Sequence, residues 1–199
     1  MIRLQQNSST LVIVIHEIYG INQHIQDFCA FISSQGKDVI CPDLLEKGSA
    51  FDYSQEEMAY RSFVKDIGFK EAVIKIKSIL SIYRQTYKKI VIIGFSAGAT
   101  VAWLCSDDEK VDGVVGYYGS RIRNYLEVKP LCPCMLFFPE EEPSFQVDEV
   151  IARLRRKNID IHKYSGTHGF SDPYSTNFHN ESAQKARDRI IDFLTEKVE

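Results

Sequence analysis

The run Ile90-Val91-Ile92-Ile93 leads straight into Gly94-Phe95-Ser96-Ala97-Gly98 and then into Ala99-Thr100-Val101-Ala102-Trp103-Leu104. β-Branched residues before the serine read as a buried strand, and small residues after it read as the start of a tightly packed helix. A strand that turns at once into a helix holds the serine in a strained bend with its hydroxyl turned outward. The flanking glycines let neighbouring backbone approach where a Cβ would clash. Such a joint commits the chain to an α/β architecture and makes Ser96 the candidate nucleophile. A tight turn that merely contains a serine would spell the same five letters, so the strand before it and the helix after it carry the argument.

The rest of the chain repeats the strand–helix alternation. Strands are expected at Thr10 to His16, Asp38 to Pro42, Ile90 to Phe95, Gly113 to Tyr118, Cys134 to Phe138 and Ile159 to Tyr164. Between them lie four apolar stripes at helical spacing: Ile21, Ile25, Phe28 and Ile32; Val73, Ile76, Leu80 and Tyr83; Val147, Val150, Ile151 and Leu154; and Ala183, Ala186, Ile190 and Leu194. Alternating βα units build a mostly parallel central sheet with helices on both faces, and the elbow at Ser96 makes the expected form the α/β-hydrolase fold. With 199 residues, 44% of them hydrophobic, the chain suits one domain, 1–199, with a substantial core. The segment Gly48 to Gly68 is less regular and rich in aromatics. It is expected either to cover the mouth of a site or to form a plain surface helix with aromatic anchors.

Charge and cysteine usage exclude several classes. Lys plus Arg number 24 against 27 Asp plus Glu, so no basic field is available to gather nucleic-acid phosphates. The apolar run Leu11 to Ile15 is far too short to cross a bilayer, and the N-terminus lacks a signal-peptide pattern, so a cytoplasmic protein is expected. Five cysteines suit a reducing compartment rather than a disulfide framework. Cys132-Pro133-Cys134 has no second Cys or His pair at zinc-ligand spacing, and small buried hydrophobes at a strand entrance are the plainer account.

A serine hydroxyl needs a base to take its proton, and the base needs a carboxylate to fix its tautomer. After the nucleophile, the acid and then the base are expected on loops behind later strands. His168, in Ser165-Gly166-Thr167-His168-Gly169-Phe170, sits in such a loop. His162 lies inside the preceding strand, and His179 stands at the start of the last helix, where packing or capping is expected. The acid loop reads Pro139-Glu140-Glu141-Glu142-Pro143. Glu142 is favoured because the following proline biases it toward an extended conformation; Glu140, Glu141 and Asp148 remain alternatives.

His16-Glu17-Ile18-Tyr19-Gly20 adds a polar cluster at the C-terminal end of the first expected strand, where open α/β sheets bind ligands. Together with Cys41-Pro42-Asp43, the elbow, Gly116-Tyr117-Tyr118-Gly119 and Thr167-His168-Gly169-Phe170, it makes the chain resemble the dienelactone hydrolase family over nearly its whole length. The resemblance implies an α/β-hydrolase that opens lactone or ester bonds through an acyl-enzyme without a cofactor or metal, as a monomer or homodimer acting on a small molecule. It places Glu17 near the nucleophile, a buried carboxylate bound to backbone amides being the plainer account. It also puts Tyr118 against the substrate and the N–H groups of Ile18 and Ala97 in an oxyanion hole, as the mechanism itself asks.

Three departures narrow what carries over. Dienelactone-cleaving members use cysteine where this chain has Ser96, and aspartate where it has Glu142. The arginine expected shortly after the histidine is missing, since Gly169, Phe170, Ser171 and Asp172 follow. Arg61 could supply a cation instead, although an exposed helical arginine is the plainer account. The expected activity is therefore a serine hydrolase of small carboxylic esters or lactones. The alternative is a catalytically silent α/β-hydrolase fold that binds a small ligand or partner.

Overall fold

Successive side chains along a strand face opposite ways, and this protein buries both directions. In β2 (Thr10–Ile15), Leu11, Ile13 and Ile15 enter one core while Val12 and Val14 enter another; in β4 (Lys89–Phe95), Ile90 and Ile92 take the first and Val91, Ile93 and Phe95 the second. Strands buried on both faces read as unbroken apolar runs rather than as alternation. The computed structural model describes residues 1–46, 48–157 and 159–198.

The remaining strands are β1 (Ile2–Leu4), β3 (Asp38–Cys41), β5 (Gly113–Tyr117), β6 (Cys134–Pro139) and β7 (Asp160–Tyr164). The sheet runs β1-β3-β2-β4-β5-β6-β7. Each neighbouring pair is parallel except β1 with β3. The strand β1 was not expected; it is three residues long and only Ile2 and Leu4 pack inward, which is too little for a periodicity to register.

One face is covered by α1 (Gln23–Ser34) and α6 (Asn180–Glu196), which bury Ile25, Phe28 and Ile32 and Ala186, Ile190 and Leu194. The other carries α3 (Gly68–Tyr83), α4 (Ala97–Cys105) and α5 (Val147–Leu154). The expected stripes thus form the helix–sheet contacts, and full burial of one Ile, Leu or Phe stabilises by roughly 1.5–3 kcal/mol. Val73 and Tyr83 lie at the rim of their stripe, only partly buried. Among the described residues no helix is long and apolar enough to cross a membrane.

The irregular segment holds a 3-10 turn (Tyr53–Gln55), the short helix α2 (Glu56–Ser62) and a π-helical turn (Phe63–Ile67). Register sets the working edge of the sheet. Ile15 pairs with Gly94 and Phe95 with Tyr117, so β2, β4 and β5 end side by side. The loops that begin at His16, Ser96 and Tyr118 therefore share one rim.

Candidate active site

Ser96 links β4 to α4 with φ +51° and ψ −111°, a conformation that costs a non-glycine residue on the order of 1–3 kcal/mol. The surroundings hold it there: its N–H donates to Tyr117 O at 2.9 Å, and its carbonyl accepts from Thr100 N at 3.2 Å. The two glycines are required by close approach. A Cβ on Gly94 would meet Gly98 O at 2.2 Å, and one on Gly98 would meet Ile15 O at 2.3 Å.

The Ser96 hydroxyl lies 2.8 Å from His168 Nε2. His168 Nδ1 lies 2.7 Å from Glu142 Oε1, whose side chain is only 4% exposed. A carboxylate at Nδ1 fixes the proton on that nitrogen and leaves Nε2 to accept from the serine. Burial alone would lower the pKa of His168; the hydrogen bond and charge of Glu142, with Glu17 and Glu56 beyond it, outweigh burial and raise it.

Of the four candidate acids, Glu142 is the one brought to the histidine. Glu140 and Glu141 are exposed, and Asp148 turns outward to pair with Lys163 at 2.6 Å. The other two histidines stay away. His162 sits on β7 with Nε2 3.2 Å from Asp160, and His179 caps α6 by accepting from Ser182 N.

These groups open onto a cavity of about 440 Å³ whose wall includes Glu17, Ile18, Ser96, Ala97, Glu142 and His168, within the size range of small-molecule sites. The profile of the dienelactone hydrolase family matches residues 2–198. The chain belongs to the dienelactone hydrolase family. It is 41% identical over 171 residues to the uncharacterized protein YczH of Bacillus subtilis (strain 168), covering 84% of each chain. To the carboxymethylenebutenolidase of Pseudomonas putida it is 25% identical over 204 residues, covering 92% of this chain and 84% of that one. A solved structure from Klebsiella pneumoniae subsp. pneumoniae MGH 78578 superposes with a TM-score of 0.77 at 20% identity, over 94% of this chain and 86% of the other. The fold is the α/β-hydrolase fold.

Two expected substrate contacts lie away from the cavity wall in this dienelactone hydrolase relative. Tyr118 does not reach the cavity: it is fully buried, its hydroxyl meets Ser171 Oγ at 3.1 Å, and its ring packs 5.0 Å from that of His168. Arg61 points outward on α2, 76% exposed, and pairs with Glu57 at 2.5 Å. The arginines among the residues that line the cavity are Arg121 and Arg123. Both stand on the 3-10 turn Ser120–Asn124 directly after β5. Their place just beyond Gly116-Tyr117-Tyr118-Gly119, at the C-terminal end of a central strand, was the signal that could have found them.

The covering segment supplies Tyr53, Glu56, Tyr60 and Phe63 to the wall. Helix α2 is therefore both a surface helix and part of the mouth. Asp172, four residues after His168 and 1% exposed, also borders the cavity.

Glu17 is 5% exposed. Burial pushes its carboxyl up to about 7; His168 and a hydrogen bond from Tyr118 oppose the rise, and Asp172 adds to it. His16 beside it is structural. Its Nε2 accepts from Leu44 N at 3.0 Å, which leaves Nδ1–H to donate to Glu17 O at 2.6 Å and brace the loop.

Proposed function

We propose that this protein is a serine hydrolase that cleaves small carboxylic esters or lactones through an acyl-enzyme. The observation that carries the reading is the continuous hydrogen-bonded chain from Ser96 Oγ through His168 to Glu142, at 2.8 and 2.7 Å.

In this reading His168 Nε2 takes the Ser96 proton as Oγ attacks the carbonyl carbon, and Glu142 steadies the imidazolium. The negative charge that develops on the carbonyl oxygen is met by the N–H groups of Ile18 and Ala97, residues that line the cavity with Ser96. His168 then returns the proton to the leaving alkoxide oxygen, giving an alcohol, or the free end of an opened lactone. A water activated by the same nitrogen releases the acid and restores Ser96. Names borne by relatives agree with ester and lactone chemistry, and membership of the dienelactone hydrolase family supports it. Serine in place of the cysteine of dienelactone-cleaving members removes the need for a thiolate, because His168 supplies the activation.

Intact-mass analysis after a fluorophosphonate probe tests the reading without knowledge of the natural substrate. Single labelling that disappears in Ser96→Ala is the expected result. Folded wild-type protein that takes no label would favour a silent binding fold instead.

A further inference from the structure

Three side chains from distant parts of the sequence meet at the edge of the cavity. Glu17 comes from the loop after β2, His24 from the first turn of α1, and Asp172 from the loop after His168. One donor atom of each lies within 4.8 Å of the other two, and all three residues are buried. His24 Nδ1 has no hydrogen-bond partner. It stands 3.7 Å from Asp172 Oδ2, with both side chains 2% exposed, a separation too long for a hydrogen bond.

Buried polar atoms nearly always have partners, and here an orphaned nitrogen faces two carboxylates. Among the described residues neither carboxylate has a lysine or arginine within ion-pair distance; His24 is the ion-pair contact of Asp172. Asp172 is instead held from outside the cluster. The Tyr53 hydroxyl and Tyr174 N donate to Asp172, and Asn22 Nδ2 donates to the Tyr53 oxygen at 3.0 Å. Outer donors of this kind orient the ligands of a metal ion.

Bonds of about 2.0–2.2 Å from zinc to imidazole nitrogen and carboxylate oxygen put tetrahedral donor atoms roughly 3.4 Å apart. The 3.7 Å separation of His24 Nδ1 and Asp172 Oδ2 is close to that distance. A divalent cation would take the imidazole and both carboxylates in their deprotonated forms, whose charge it cancels. An N,O,O donor set suits zinc, whereas magnesium prefers oxygen ligands and keeps its hydration.

We propose that Glu17, His24 and Asp172 form a divalent-metal site, best matched to zinc, which ties the loop after β2, α1 and the loop after β7 together beside the cavity. The site goes beyond the serine chemistry and stands or falls apart from it. No spacing rule exposes it, because its members come together only through the fold.

The test is equilibrium dialysis of metal-free protein against zinc chloride, with elemental analysis and thermal unfolding of the dialysed samples. Expected are one zinc per chain, an unfolding temperature that climbs with free zinc, and no comparable effect of magnesium. His24→Ala and Asp172→Asn should lose the ion, and Tyr53→Phe should weaken it about 10–100-fold. Ser96→Ala and the double variant Cys132→Ser/Cys134→Ser should bind as wild type does. The wild-type protein loaded with cobalt should show d–d absorption without a thiolate charge-transfer band, a readout that needs no variant to fold. Wild type without stoichiometric zinc would overturn the site and leave a bridging water in its place. Zinc retained by folded His24→Ala, zinc lost with the cysteines, or a thiolate band would mean an adventitious ion only.

Discussion

His168, on the cavity wall, and His24, buried outside it, each stand beside a buried carboxylate, and their environments drive them in opposite directions. At 2.7 Å the Glu142 carboxylate hydrogen-bonds His168, and the pKa rises despite burial. At 3.7 Å Asp172 attracts His24 without bonding it; burial wins, and the pKa falls to about 4. An ångström of separation decides whether a buried acid–histidine pair holds a proton or stands open to another ligand. The first arrangement suits a base that must accept a proton and keep it through a transition state. The second suits a neutral donor.

The largest effects expected lie on the His168 side. Ser96→Ala or His168→Ala should lower ester turnover by about three decades or more; steady-state kinetics with a chromogenic small ester measure this, and retention of turnover would break the serine reading. Glu142→Gln should cost about two to four decades in kcat, by analogy with loss of the orienting acid in other triads. Glu140→Gln and Glu141→Gln should leave turnover as it is. Equal losses in all three would mean that the loop's charge matters and the 2.7 Å bond does not.

A pH study sharpens the contrast between the two histidines. His168 must be neutral to act, so kcat/KM should fall about tenfold per pH unit once pH drops below its raised pKa. The stability terms have opposite signs. His168, raised in the fold, contributes stability that is complete below pH 6.5 and lost as pH rises through its folded pKa. His24, lowered to about 4, contributes stability present above pH 6.5 and lost as pH falls toward 4. Imidazole proton shifts followed by NMR should therefore place one midpoint above 6.5 and the other well below it. Two midpoints on the same side would undo the comparison.

The smallest effect expected is that of Arg61→Ala. An exposed i,i+4 pair on α2 contributes little, so turnover should be unchanged and stability should shift by no more than about 0.5 kcal/mol in thermal unfolding. A marked rise in KM would return Arg61 to the substrate site.

The sequence by itself determined what local patterning can encode. Apolar runs such as Leu11 to Ile15 and Ile90 to Ile93 marked strands buried on both faces, and the stripes of α1, α5 and α6 marked their packed sides. Gly94 and Gly98 marked the close approach of α4 to β2 and β4, and chain order narrowed the base to His168 and the acid to a loop of glutamates. Each of these rests on short-range sterics or on a period of two or 3.6 residues, which neighbouring letters fully record.

Tertiary structure decided the rest. Only the meeting of the β6 and β7 loops brings Glu142 Oε1 to His168 while leaving Glu140 and Glu141 in solvent. The rotation of α2 sends Arg61 outward and Tyr60 toward the cavity, and the close of the β5 loop buries Tyr118 beneath His168. Glu17, His24 and Asp172 converge because parallel strands end level and their loops share one rim. Side-chain direction at such a rim depends on contacts between segments far apart in the chain, and no local period carries that information.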